Sequence, residues 1–279
     1  TNCNIQIICD SLFESSSIET ICIPQHVKFI GSRAFYNCKK LKHIEFSENS
    51  SLQSIGNLAF AHSSIEEIFI PLHVSIIKSF AFYNCQKLIK IEFHENSELL
   101  SIEESAFESS SIKEINVPKH VSKIPTKLFF NCQNLNKIYI PNNSELLSIG
   151  DSAFESLKIE TITIPRHVLN IGQKAFYKCE KLTKVELFEN SKLNSIGESA
   201  FEYTAIESIL IPPCVSAIEE NTFRYCCNLL NVYFTDNSEL QIIKKQAFQA
   251  SAIENIKIPP HVLVIEDNSF SYCHNMEFI

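Results

Sequence analysis

Residues 24–49 read PQHVKFIGSRAFYNCKKLKHIEFSEN, and the same pattern returns 47 residues later. An Ile/Val-Pro dipeptide keeps this interval through the chain, ending at Pro24, Pro71, Pro118, Pro165, Pro212 and Pro259. A cysteine keeps it as well, at Cys38, Cys85, Cys132, Cys179, Cys226 and Cys273. Two residue types that hold one register indicate an internal repeat, so the fold is built from repeated units.

Each 47-residue unit divides into two similar coils, which alternate between 23 and 24 residues. Each coil contains a short apolar stretch that predicts a strand and, before it, a segment with a small residue followed by Phe. The predicted strand centres are Ile21, Ile44, Ile68, Ile91, Ile115, Ile138, Ile162, Val185, Ile209, Val232, Ile256 and Ile279. Twelve coils are expected.

The order Leu41-x-x-Ile44-x-Phe46-x-x-Asn49 matches the leucine-rich-repeat core L-x-x-L-x-L-x-x-N. Side chains alternate along a strand, so Ile44 and Phe46 are expected inside and Glu45 outside. The asparagine is expected to end the strand and to satisfy backbone groups of the turn. The recurring phenylalanines predict a buried column of stacked rings, made by Phe13, Phe35, Phe60, Phe82, Phe107, Phe129, Phe154, Phe176, Phe201, Phe223, Phe248 and Phe270.

One coil cannot bury its own apolar faces, but stacked coils can. We therefore predict one leucine-rich-repeat solenoid over residues 1–279, a right-handed coil of about 12 turns. A parallel β-sheet should form one concave face, and short helical or irregular segments the other. Neither end shows a polar cap, which predicts truncated or uncapped ends. The alternatives are a fragment, a missing cap, or an end-to-end homodimer through the bare sheet edge.

The composition excludes several function classes. A net charge of −8 argues against nucleic acid as a partner, which favours a basic face. The sequence contains no run of 18 apolar residues, so no membrane span is predicted. The sequence also has no Gly-rich phosphate loop, no H-E-x-x-H and no G-x-S-x-G. We expect no enzyme activity, no catalytic residues, no metal and no cofactor.

Histidines occupy the asparagine position of the alternate coils, at His26, His73, His120, His167 and His261. Because imidazole and carboxamide both donate and accept hydrogen bonds, a polar ladder that stabilises the turns is the first interpretation. A metal or acid–base site is the second, but it needs ligands that converge on one point. Histidines two coils apart are separated by about 9–10 Å at the backbone, which disfavours convergence.

The six cysteines that recur every 47 residues form a second ladder, and the same spacing between coils separates them. Two coils separate Cys38 from Cys85, so their Cα atoms should lie about 9–10 Å apart, beyond the roughly 7 Å that a disulfide tolerates. They are predicted to be reduced, buried and packed near a turn. The other cysteines, Cys3 among them, form no C-x-x-C pair.

The outward strand positions are the predicted binding surface, because they vary between repeats whereas the core does not. This stripe starts at Cys22 and continues through Glu45, Phe69, Glu92, Asn116, Tyr139, Thr163, Glu186, Leu210, Tyr233 and Lys257. Exposed aromatic residues among mixed charges suit protein recognition, although single exposed apolar residues are ordinary. For N-glycosylation, Asn142 is the candidate acceptor, whereas Asn49 is expected to be tucked into a turn.

The pattern I-P-x-H/S-V-x-x-I-G-x-x-A-F-x-x-C-x-x-L-x-x-I, seen from Pro24 to Ile44 and in its counterparts, closely resembles the BspA-like, or treponemal-type, leucine-rich repeats. Turns such as Asn96-Ser97-Glu98-Leu99 resemble those of trichomonad members. The resemblance implies a cell-surface or secreted protein that adheres to host, matrix or microbial partners.

Together these observations predict a non-enzymatic recognition or adhesion module with a protein ligand, or alternatively a glycan ligand, on its strand face. An intracellular scaffold that uses the same surface, and hence a cytoplasmic location, is the alternative.

Overall fold

The computed structural model describes residues 4–277, which divide between Glu145 and Leu146 into two compact units. Each unit is a parallel β-solenoid whose coils carry one main strand and one two-residue strand. The main strands of the first unit are Thr20–Ile23, His43–Phe46, Glu67–Ile70, Lys90–Phe93, Glu114–Asn116 and Lys137–Tyr139. Those of the second unit are Thr161–Thr163, Lys184–Glu186, Ser208–Ile211 and Asn231–Phe234.

The predicted strand centres lie in these strands and align in the expected register. Ile21 pairs with Ile44, and Ile209 pairs with Val232. The coil of Ile256 is reduced to an isolated bridge between Asn231 and Asn255. The centre predicted at Ile279 lies outside the described residues. The leucine-rich-repeat solenoid is thus confirmed as the fold class.

A second set of parallel strands, only two residues long, precedes the phenylalanine segment of each coil. In the first unit these strands are Ile7–Ile8, Phe29–Ile30, Ser54–Ile55, Ile76–Ile77, Ser101–Ile102 and Lys123–Ile124. In the second they are Ser148–Ile149, Asn170–Ile171, Ser195–Ile196, Ala217–Ile218, Ile242–Ile243 and Val264–Ile265. No pattern in the sequence predicts these short strands.

Of the short helical or irregular segments expected opposite the main strands, the structure contains the irregular kind: residues 4–277 contain no helix, and these segments are a series of tight turns. Two residues in each coil, such as Arg33 and Asn37 with φ of 55° and 58°, adopt the left-handed conformation and prevent a helix. Alternate amides then bond to the next coil. Phe35 N donates to Ala59 O at 2.7 Å, whereas Tyr36 N donates to Arg33 O at 3.0 Å within its own coil.

The phenylalanine column is confirmed within each unit. In the first, rings from Phe13 to Phe129 stack with centroids 5.1–5.8 Å apart. In the second, rings from Phe154 to Phe270 stack at 5.2–5.6 Å. All but the terminal rings Phe13 and Phe270 are fully buried. Each buried ring contributes roughly 1.5–3 kcal/mol through burial alone, which makes the column the main apolar core of every coil.

Candidate functional site

The outward residues of the main strands lie side by side, as the period of two requires. In the first unit, Phe69 pairs with Glu92 and Asn116 pairs with Tyr139. In the second unit, Leu210 pairs with Tyr233. The outward residues thus form a strand face in each unit, and we use that name for the stripe from Cys22 to Lys257.

Three aromatic residues of the strand face are strongly exposed. Phe69 retains 45% of its accessible surface, Tyr139 51% and Tyr233 55%. Leu210, which was expected to be equally open, is half-buried, as are Thr163 and Glu186. Exposed rings held on rigid strands lose little side-chain entropy when they bind, which suits a recognition surface.

Two carboxylates of the strand face, Glu92 and Glu186, are paired with lysines two residues earlier on the same strands. Lys90 Nζ lies 3.0 Å from Glu92 Oε1 on the same strand, and Lys184 Nζ lies 3.7 Å from Glu186 Oε1. Thr163 Oγ1 also donates to Glu186 Oε2 at 2.7 Å. Since exposed ion pairs contribute little to stability, these side chains remain available for a ligand.

A groove of about 730 Å³ lies in the first unit, where the strand face meets the loops that follow the strands. Phe69, Glu92 and Asn116 of the strand face line it, together with loop residues that include His94, His120 and Asn143. No local pattern in the sequence predicts this groove.

Two histidines of the ladder, His73 and His120, link their coil to the next one. His73 Nδ1 lies 3.1 Å from Glu98 Oε2 of the next coil, and His120 Nδ1 lies 2.9 Å from Glu145 Oε1. The turn itself is closed by the backbone, where Val74 N donates to Pro71 O at 3.2 Å. Within residues 4–277 no three metal-ligating side chains converge.

The expectation that the ladder asparagines satisfy the turns is wrong, because the following serine does so. Ser50 is buried, and its Oγ accepts the N–H of Leu52 at 3.3 Å. Asn49 is exposed, so the prediction that it is tucked away is also wrong. The five asparagines of this ladder are exposed, and so is the candidate acceptor Asn142.

The ladder cysteines are free thiols, and five of them are buried as predicted, whereas Cys273 is half-buried. Each donates its S–H to the carbonyl of a column phenylalanine in the preceding coil, as Cys85 Sγ does to Phe60 O at 3.0 Å. The same contact recurs with distances of 3.0–3.1 Å at Cys38, Cys132, Cys179, Cys226 and Cys273. Burial raises the pKa of Cys85, Cys132, Cys179 and Cys226 to about 12.

These thiols are therefore structural rather than nucleophilic, because the thiolate is the reactive form. Cys9, Cys22, Cys214 and Cys227 are exposed. Cys3 lies outside the described residues.

In the part of the chain that the structure describes, no helix is long and apolar enough to cross a membrane.

The comparisons with known proteins agree with this architecture. The family described as BspA type leucine rich repeat region (6 copies) matches residues 6–136, 53–165 and 147–277. No curated protein matches the sequence at a significant level.

Solved structures share the fold. A leucine-rich repeat protein from Bacteroides ovatus is 26% identical, with a TM-score of 0.74 over 94% of this chain and 72% of its own. A leucine-rich repeat protein from Eubacterium ventriosum is 22% identical, with a TM-score of 0.58 over 91% of this chain and 76% of its own. A leucine rich cell surface protein from Faecalibacterium prausnitzii is also 22% identical, with a TM-score of 0.52 over 98% of this chain and 76% of its own.

The family match covers residues 6–277 without a break, and the repeat, the strand register and the phenylalanine column are found in the same residues. The chain belongs to the BspA type leucine-rich repeat family.

Proposed function

We propose that this protein is a non-enzymatic recognition module that binds surface partners through its strand face. The observation that supports this most directly is the exposure of Phe69, Tyr139 and Tyr233 on strands whose opposite side is fixed in the core. Leucine-rich repeats commonly present an extended strand surface to protein ligands. Aromatic residues are also enriched at the energetic centres of protein interfaces.

The proposed location is the cell surface or the secreted fraction. The Faecalibacterium prausnitzii protein of the same fold is a cell surface protein, which supports this location. Biotinylation of intact cells with a membrane-impermeant reagent tests it. Labelling of this chain supports the surface proposal, and labelling only after lysis favours the intracellular scaffold.

The strand-face proposal is tested by a triple variant, Phe69→Ala with Tyr139→Ala and Tyr233→Ala. These side chains are exposed, so the substitutions should change stability little. The matched control removes three exposed apolar side chains outside the strand face, Leu100→Ala, Leu147→Ala and Tyr272→Ala, which are 60%, 47% and 68% exposed.

Binding is measured as retention on immobilised extracellular-matrix proteins and cell-surface extracts. We expect the triple variant to lose retention and the control to keep it, with both unfolding at the wild-type urea midpoint. Equal retention of the triple variant and wild type would overturn the proposed surface.

A further inference from the structure

The groove of the first unit combines an aromatic platform with polar walls. Phe69 is 45% exposed, and the ring of His94 meets it edge-on with centroids 6.3 Å apart at 65°. This contact restricts the phenylalanine side chain and keeps one apolar surface open to the groove. A ligand with an apolar face could lie on this ring.

The hydrogen-bonding states of the two groove histidines are fixed by their neighbours. His94 Nδ1 accepts the N–H of Asn96 at 3.1 Å, so the proton of the ring is on Nε2, which can donate to a ligand. His120 Nδ1 is 2.9 Å from Glu145 Oε1 and must donate to that carboxylate. In the neutral ring, its Nε2 is then an acceptor.

The carboxamides of Asn116 and Asn143 add further donors and acceptors to the same lining. A groove that offers both kinds of group is matched by hydroxyls, because each hydroxyl donates once and accepts twice. The lining therefore favours a ligand with many hydroxyl groups on its edge.

Charge does not favour a strongly ionic ligand. Glu92 is neutralised by Lys90 at 3.0 Å, and the remaining charged residues of the lining, Lys119 and Glu95, have opposite signs. An anionic or cationic ligand would thus gain little net Coulomb energy from the groove.

The two usual modes of peptide binding fit poorly. A peptide that adds as a strand needs a free sheet edge. The groove instead lies over the outward side chains of strands Glu67–Ile70, Lys90–Phe93 and Glu114–Asn116. Lys90–Phe93 pairs with Glu67–Ile70 on one side and packs directly against Glu114–Asn116 on the other, so a peptide strand cannot enter between them. An amphipathic helix needs several apolar anchors, but among the lining residues Phe69 alone is a large, exposed apolar side chain.

We propose that this groove binds a neutral oligosaccharide. One sugar ring lies on Phe69, and the hydroxyls along the oligosaccharide bond to His94, Asn116, His120 and Asn143. The inference deepens the proposed function and rests on it, because the groove is part of the strand face. It names the ligand class for the first unit only.

The first experiment applies the whole chain to a printed array of neutral, sialylated and sulfated oligosaccharides. The strongest neutral binder is then titrated calorimetrically against wild type and the variants Phe69→Ala, His94→Ala and Asn116→Ala. Tyr272→Ala is the matched aromatic control, and Asn190→Ala is the matched carboxamide control outside the groove.

We expect a neutral oligosaccharide to bind and each groove variant to weaken binding about tenfold or more, as expected for the loss of one well-placed contact worth about 1.4 kcal/mol. Both controls should bind as wild type does. The inference is overturned if no neutral oligosaccharide binds, if only acidic ones bind, or if the groove variants bind normally. If the strand-face triple variant still loses its protein partners in that case, this inference fails alone and the proposed function stands.

Discussion

Removal of one ring from the phenylalanine column should cost a large part of the stability of its unit. Phe82 is fully buried between Phe60 and Phe107, with ring centroids 5.3 Å away on both sides. Phe82→Ala loses the burial of the ring, leaves a cavity and removes two stacked contacts. Truncation of a buried phenylalanine typically costs about 3–5 kcal/mol. Because a domain is stable by only about 5–15 kcal/mol, this is a severe change.

The assay is urea unfolding followed by circular dichroism and fitted for the free energy of unfolding. Phe69→Ala is the matched control, because the same atoms are removed from a ring that is 45% exposed and lies outside the column. We expect the control to lose less than about 1 kcal/mol. The reasoning is refuted if Phe82→Ala costs no more than Phe69→Ala, since the column would then not be the core.

Three further predictions follow from the turns, the thiols and one ion pair. At pH 8, a pKa of about 12 leaves roughly one thiol in 10,000 ionised. The buried thiols with this pKa should therefore react with a maleimide at least about 1,000-fold more slowly than the exposed Cys22 and Cys227; they are Cys85, Cys132, Cys179 and Cys226. Peptide-resolved mass spectrometry with and without urea checks this, and fast labelling of the ladder in the native chain would contradict it. Lys127 has φ of 53° and an exposed side chain, so Lys127→Gly should stabilise the chain by about 0.5–1 kcal/mol, whereas Lys123→Gly in a strand should destabilise it. Thermal unfolding compares the two, and destabilisation by both would count against the turn geometry. The side-chain hydrogen bond from Arg33 lowers the pKa of Glu14 to about 2. This pair stabilises the folded chain above pH 4.5, the ordinary value, and its contribution is lost as the pH falls towards 2. Arg33→Met should raise the pKa of Glu14, followed by NMR, towards 4.5, and an unchanged pKa would exclude the pair as its main cause.

The interval of 47 residues made much of the fold predictable, because one aligned repeat assigns every other. It predicts Phe82 and Cys85 in the core and Phe69 outside, as the structure has them. The register of Ile21 with Ile44 followed from the same alignment.

Other features have no comparable pattern in the sequence. A strand of two residues such as Phe29–Ile30 is too short to display a period of two. The left-handed turns escaped notice because residues such as Arg33 and Leu58 adopt positive φ without being glycine, the residue that usually marks it. Hydrogen bonds to the adjacent coil hold these residues in place: Arg33 N donates to Asn57 O at 2.8 Å, and Leu58 N to Ser79 O at 3.1 Å.

The groove could not be found from local patterns, since Phe69, Glu92 and Asn116 come from three different coils. The sequence contains one indication of where the groove lies. The alternation of His and Asn after successive strands places both types at one edge of the sheet, beside the outward residues. That alternation predicts turn chemistry, whereas the buried Ser50 and its counterparts perform that role.

Hydroxyl-radical footprinting of the whole chain tests the central claim most directly, because it compares the oxidation of every aromatic side chain in one experiment. The account predicts that Phe69, Tyr139 and Tyr233 oxidise rapidly in the native protein, while Phe82 and Phe176 are protected until the chain is unfolded. Comparable oxidation of the two sets in the native protein would contradict it.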